Sequence, residues 1–261
     1  MDETNTDLTV AIDAAVATVT IDRPDKHNAV NRAVWEAIGP AMAALDADTR
    51  VKVIILTGAG GKAFSAGADI SEFAETYRTI ETTRAYNGLV RQGQQAVSDV
   101  AKPVIAMIDG LCIGGGCGLA LACDLRFAGE ASRFAITPAR IGAAYSFADT
   151  KQLVDLVGPA RAKDILFSGA MIDAHRAERI GLVDRVLPSE RLVAETRAYA
   201  EQLCQLSQTS IRIAKRTVDA IGAGHDEETD ALREAFEQAF EGRDFREGYD
   251  AFLRKRKPDF G

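Results

Sequence analysis

The sequence predicts an α/β fold, and three observations carry that prediction. Val51 to Thr57 and Val104 to Ile108 are almost continuously apolar, as strands buried on both faces must be. Stretches with helical spacing separate them. Beyond Leu187 the pattern is helical to Lys255, which adds a helical C-terminal extension to the alternating part. A chain of 261 residues with 47% hydrophobic and 26% charged residues can bury a sizeable core. A formal charge of −7 argues against nucleic acid as the main partner.

Taken in order, Leu8 to Ile12 and Val16 to Ile21 alternate like half-buried strands and predict an antiparallel pair. Arg23 to Asn28 reads as a turn. Asn31 is placed to cap a helix carrying Val34, Ile38, Met42 and Leu45 on one face. The strand from Val51 runs into Gly58-Ala59-Gly60-Gly61 and then KAFSAGADI, where Asp69 is placed to cap a helix through Phe73. A longer helix covers Ile80 to Val100. Leu125 to Phe127, Phe134 to Thr137 and Leu182 to Leu187 read as short strands. Phe147 to Val157, Arg161 to Phe167 and Ala174 to Ile180 read as helices. No internal repeat is visible.

Pro103 to Asp124, PVIAMIDGLCIGGGCGLALACD, reads as strand, glycine turn and a short helix of small apolar residues buried all round. The first N–H groups of a helix have no partners inside it and carry the positive end of the macrodipole. Such a turn can hold an anion, or an oxygen on which negative charge develops. It can equally serve a close helix–strand contact that needs glycine. The turn after Val51 poses the same choice. If the two strands are neighbours, N–H groups near Ala68 and Gly115 converge on one oxygen; otherwise these are two unrelated turns.

Other chemistries fit poorly. The run after Thr57 lacks the helix start and the acidic residue of a dinucleotide fingerprint. Leu56 stands where a phosphate loop needs its first glycine, and no GxSxG elbow occurs. Cys112, Cys117, Cys123 and Cys204 have no metal-ligand spacing and read as reduced core thiols. His27, His175 and His225 lie far apart, so no metal is expected. The polar, acidic N-terminus and the lack of a long apolar run lead to an expectation of a cytoplasmic protein with no membrane partner.

KAFSAGADI together with IDGLCIGGGCGLALACD resembles the paired signatures of the crotonase (enoyl-CoA hydratase/isomerase) superfamily. The likeness extends from IDRPDKHNAVN through SGAMIDAHRAERIGLVDRV to EGYDAFLRKRKPDF. It implies a ββα-superhelix core over residues 1–200 and a helical trimerisation region over 201–261. It also implies a homotrimer or dimer of trimers, and an acyl-CoA substrate with no cofactor beyond its coenzyme A. By motif position, Ala68 and Gly115 would be the oxyanion N–H donors. Lys26, His27, Ala66, Asp69 and Ile70 would lie along the coenzyme A. Lys255 or Lys257 from a neighbouring subunit would meet its phosphates, unless the basic tail is simply solvated.

The resemblance breaks at the acids. Hydratases of this family carry two glutamates that hold a water and move its proton; here Gly118 and Pro138 stand in their places. The segment Phe134 to Pro138, Ile141-Gly142, Tyr145 and the ending AFLRKRKPDF resemble instead the methylmalonyl-CoA decarboxylase branch. That branch implies a carbon–carbon lyase in which CO₂ loss leaves the enolate directly. Thr137 and Tyr145 would then orient the carboxylate, with Tyr145 or a water returning the proton. The same branch, however, has histidine at Ala68 and an acid at Gly118. Asp149 reads either as a replacement acid or as an early-turn residue favoured by the helix dipole. A decarboxylase-like lyase is the leading expectation. An enoyl-CoA hydratase or isomerase with an unassigned acid, and a catalytically silent acyl-CoA-binding subunit, are the other readings.

Overall fold

The structure, a computed structural model, describes residues 7–261; the acidic start of the chain, residues 1–6, lies outside the described residues. β1 (Leu8–Asp13) and β2 (Val16–Ile21) form the expected antiparallel hairpin. α1 (Arg32–Ala47) follows, and the Asn31 side chain accepts from Val34 N at 2.9 Å, as an N-cap should. β3 (Val53–Gly58) then pairs in parallel with β2.

From β3 onward the chain repeats one unit. A strand in a six-stranded sheet is followed by a short strand in a second, four-stranded sheet, and then by helix. The first unit is β3, β4 (Ala63–Ser65), α2 (Phe73–Thr76) and α3 (Ile80–Ser98). The second is β5 (Val104–Ile108), β6 (Leu111–Ile113) and α4 (Gly115–Leu121). The third is β7 (Leu125–Gly129), β8 (Arg133–Ala135) and α5 (Pro138–Ile141). This is a ββα superhelix, and its repeat lies in backbone path, since the three units share little sequence. In the sequence the β6 segment shows only as part of the glycine turn. At three residues between Gly110 and Gly114, it shows no periodicity to detect.

α6 (Phe147–Val157), α7 (Pro159–Ser168), β9 (Ile172–Asp173), α8 (Ala174–Arg179) and β10 (Arg185–Leu187) complete the core with α9 (Leu192–Cys204). The large sheet has the order β1-β2-β3-β5-β7-β10 and the small one β4-β6-β8-β9. β10 starts later than expected, because Leu182 N and Asp184 N bond to Ala177 O and Arg126 O in a turn.

The central strands are buried on both faces. Ile54, Leu56, Val104, Ala106 and Ile108 join the main core with Val34, Ile38 and Met42 of α1 and Leu119 of α4. Val53, Ile55 and Ile105 point the other way, towards Leu192, Ala200 and Cys204 of α9. Both faces being covered explains the unbroken apolar runs. α9 passes through the expected junction at residue 200, so the turn out of the core falls at residues 205–207.

α10 (Gln208–Gly222), α11 (Asp230–Glu241) and α12 (Arg243–Leu253) end the fold. They leave Val218, Ile221, Phe236 and Phe252 more than half exposed. Lys215 on α10 reaches back to Asp124 at 2.9 Å, and Asp124 also accepts from Val104 N at the start of β5.

Candidate active site

The site is built where β4 and β6 run side by side and each delivers a turn. On the β4 side, Ser65 Oγ accepts from Gly67 N at 3.1 Å. Gly67 O accepts from Val30 N at 2.7 Å, and Asp69 N donates to Val30 O at 3.1 Å. This bridge engages the groups on either side of Ala68, whose own N–H donates to no acceptor among the described residues. On the β6 side, Gly114 N donates to Ala135 O at 2.8 Å, and Gly115 opens α4 with its N–H free of a helical partner.

The turns touch through backbone. Gly67 has φ +94°, and a Cβ there would lie 2.8 Å from Ile113 O and 3.3 Å from Gly115 N. A Cβ on Gly115 would lie 3.6 Å from Ala68 N. A Cβ on Gly116 would meet Ser65 O at 2.6 Å and Ser65 Cβ at 2.8 Å. No side chain fits between α4 and β4, which is why the sequence is glycine there. Two unpartnered backbone donors thus sit beside each other at the mouth of a helix. Donors so placed stabilise negative charge developing on an oxygen, each contributing about 3 kcal/mol in water-excluded sites.

Tyr145 stands over the same turn, and its hydroxyl donates to Gly114 O at 3.3 Å. Burial, and then the neighbouring Asp149 carboxyl, push its phenol well above the ordinary value. Thr137 is half-buried just before α5, where its side chain makes no cap bond and no hydrogen bond to Tyr145 or the glycine turn. The structure therefore brings Ala68, Gly115 and Tyr145 together and leaves Thr137 apart from that network.

Asp149 is more than an early-turn residue. Its N–H does donate to the N-cap Ser146 Oγ at 3.0 Å, and Ser146 Oγ donates to Oδ2 at 2.5 Å. Yet the residue is only 6% exposed, and Oδ1 is buried without a hydrogen-bond partner among the described residues. That oxygen faces Gly118, where a Cβ would lie 2.6 Å from it and would run into Gln94 Nε2. Burial raises the Asp149 pKa, against the opposing influence of Ser146 and of the adjacent Gln94 amide.

The residues expected along coenzyme A occupy one edge. Lys26 and His27 are exposed at the end of a short turn, and His27 O accepts from Ala66 N at 2.9 Å. Ile70 is 72% exposed. Asp69 is buried, its carboxylate held by Ser71 Oγ at 2.6 Å and Arg23 Nη1 at 2.9 Å. Those two partners hold its pKa below the ordinary value. Arg23 also donates to Ala29 O and pairs with Asp7, so it fixes this edge, a role that its place in a turn does not show in the sequence. Lys255 and Lys257 lie on the exposed tail, with Arg256 between them paired to Glu247 and Asp250.

A sequence model of the enoyl-CoA hydratase/isomerase family matches residues 11–261. The chain belongs to the enoyl-CoA hydratase/isomerase family. It is 35% identical to the crotonyl-CoA hydratase of Syntrophomonas wolfei over 94% of each chain. It is 36% identical to a short-chain-enoyl-CoA hydratase of Clostridium acetobutylicum, over 93% of this chain and 92% of that one. A crystal structure of an enoyl-CoA hydratase/isomerase family protein from Hyphomonas neptunium superimposes with a TM-score of 0.95 at 38% identity. That match covers 98% of this chain and 97% of the other. The feature to explain in this family member is glycine at 118 with an aspartate from α6 pressed against it.

Proposed function

We propose that this protein is an enoyl-CoA hydratase or isomerase that works through a thioester enolate. The observation that carries the reading is the pair of unpartnered N–H groups, Ala68 and Gly115, on touching backbone turns. A thioester oxygen bound between them gains negative charge as a proton leaves or a nucleophile adds, and the two donors favour that state over the neutral carbonyl. Lys26, His27, Ala66 and Ile70 lie on the adjoining edge and suit a coenzyme A tail.

This reading displaces the decarboxylase-like lyase for three reasons. The relatives named above carry hydratase names. The lyase expectation also rested on a site without acids, whereas a buried carboxyl faces the Gly118 position. Tyr145, which that mechanism wanted for the substrate carboxylate, already donates to Gly114 O.

A homotrimeric assembly, or a dimer of trimers, belongs to the same proposal. The amphipathic α10–α12 leave an apolar groove of about 560 Å³ lined by Ile213, Phe236, Phe240, Phe245 and Phe252, a surface suited to burial against further copies.

Incubating the protein with crotonyl-CoA, a 3-enoyl-CoA and methylmalonyl-CoA, with mass-spectrometric and NMR detection, tests the reading. Turnover of one or both enoyl thioesters is the expected result. Decarboxylation of methylmalonyl-CoA with no enoyl turnover would overturn it, as would tight coenzyme A binding without turnover of any of the three.

A further inference from the structure

We infer that Asp149 is the proton-transfer group of this site, occupying from α6 the space that a side chain at residue 118 would otherwise fill. The inference rests on the enolate reading above and names the residue that reading leaves open.

Three observations place the carboxyl there. Gly118 lies one helical turn beyond Gly115 on α4, so the Cβ positions of the two residues share one helix face about 5–6 Å apart. Asp149 Oδ1 is one of those groups, 2.6 Å from that Cβ position. It is buried and unpartnered, while Oδ2 is held by Ser146. A buried carboxylate oxygen with no hydrogen bond made, only the Gln94 amide adjacent to it, is costly, and a fold has no reason to keep it unless something else approaches it. The second oxygen being fixed by Ser146 leaves Oδ1 as the atom free to take a proton.

A single carboxyl also selects the reaction. Adding water to an enoyl thioester needs one group to hold and deprotonate the water and another to supply the proton at C2. Here Pro138 removes the second acid, and Thr137 beside it does not titrate. A lone carboxylate suffices for an allylic shift in a 3-enoyl thioester. Asp149 takes a proton from C2, and the C–H electron pair moves into the C1–C2 bond as charge collects on the oxygen held by Ala68 N and Gly115 N. The electron pair then returns, the double bond moves from C3–C4 to C2–C3, and the Asp149 carboxylic acid gives its proton to C4. One C–H bond breaks, one forms, and no water or redox partner is consumed.

The test compares wild type, Asp149→Asn, Asp149→Glu and the double variant Asp149→Ala with Gly118→Glu. Each is assayed with 3-hexenoyl-CoA and crotonyl-CoA, and by NMR for deuterium uptake at C2 in heavy water. The inference expects wild type to isomerise 3-hexenoyl-CoA faster than it hydrates crotonyl-CoA. It expects Asp149→Asn to lower kcat by about 10²–10⁴-fold, with the KM little changed and the variant folded at least as stably as wild type. The double variant, which moves the carboxyl back onto α4, should regain part of the lost turnover while Asp149→Asn does not. Active wild type with an Asp149→Asn kcat within threefold of it would overturn the inference and leave the enolate reading standing. Hydration of crotonyl-CoA without isomerisation would likewise overturn it alone. No turnover and no C2 exchange in wild type would overturn both.

Discussion

The Tyr145 hydroxyl donates to the carbonyl of Gly114, the residue immediately before the free N–H of Gly115. That bond, at 3.3 Å, makes Tyr145 a brace on the turn that presents the donor. Removing the hydroxyl leaves the ring in place and frees the carbonyl, which costs about 1 kcal/mol. Tyr145→Phe is therefore expected to lower kcat by no more than about tenfold with KM nearly unchanged. Steady-state kinetics on an enoyl-CoA check this; a loss as large as that of Asp149→Asn would make the phenol itself a proton donor.

The contact between Gly116 and Ser65 sets the spacing of the two turns. A methyl at 116 would sit 2.6 Å from Ser65 O, and this is strand backbone that has no rotamer to yield. Gly116→Ala is expected to push α4 off β4, destabilise the protein by about 1–3 kcal/mol and cut turnover more than it weakens coenzyme A binding. Gly67→Ala should do at least as much, since its φ of +94° disfavours any side chain. Melting curves and isothermal titration with coenzyme A separate the two effects.

Much of the fold was legible where the signal is local. Asn31 could be read as a cap because its side chain answers an orphan N–H three residues on, and β3 and β5 because both faces are covered. The glycines of the two turns were legible too, since only close backbone contact demands them. The small sheet was not, because strands of two or three residues carry no period. Gly118 announced a missing acid, and Asp149 was legible as a replacement acid only as one of two readings, the other an early-turn residue, because the sequence does not show the two in contact. That pairing exists only because α6 folds back over α4.

Lys102 offers a stability prediction away from the site. It is 1% exposed, and its ammonium donates to Leu45 O at 2.5 Å and to Asp48 O at 2.7 Å, closing the C-terminal end of α1. Burial lowers its pKa. Lys102→Met keeps the aliphatic stem and strands both carbonyls, so a loss of about 2–4 kcal/mol is expected, read by urea unfolding. A neutral result would mean that water replaces the ammonium.

The apolar face of α10–α12 predicts how the chain behaves in solution. Val218 and Phe252 are 67% and 82% exposed in the single chain. Sedimentation is expected to give a trimer or a hexamer, and Val218→Asp with Phe252→Asp to shift it towards the monomer. A wild-type monomer at micromolar concentration would remove this part of the proposal.

Asp149 also makes a prediction about pH that needs no substrate. It is packed between Gln94 of α3, Gly118 of α4 and the N-cap Ser146 of its own helix, with the Tyr145 phenol close by. The titratable group among these, Tyr145, never carries positive charge, so the ionised carboxylate has no counter-charge and burial raises its pKa above the ordinary 3.8. Between the unfolded and the folded value the native state binds the extra proton, and stability falls as pH rises through that window. Each pH unit of the window costs about 1.4 kcal/mol. Asp149→Asn has no proton to lose there. The melting temperature of the variant, measured against wild type, is therefore expected to be nearly level with it at pH about 4 and to gain on it towards pH about 7. The opposite trend, wild type gaining on the variant as pH rises, would mean that a cation reaches the carboxylate and holds it ionised.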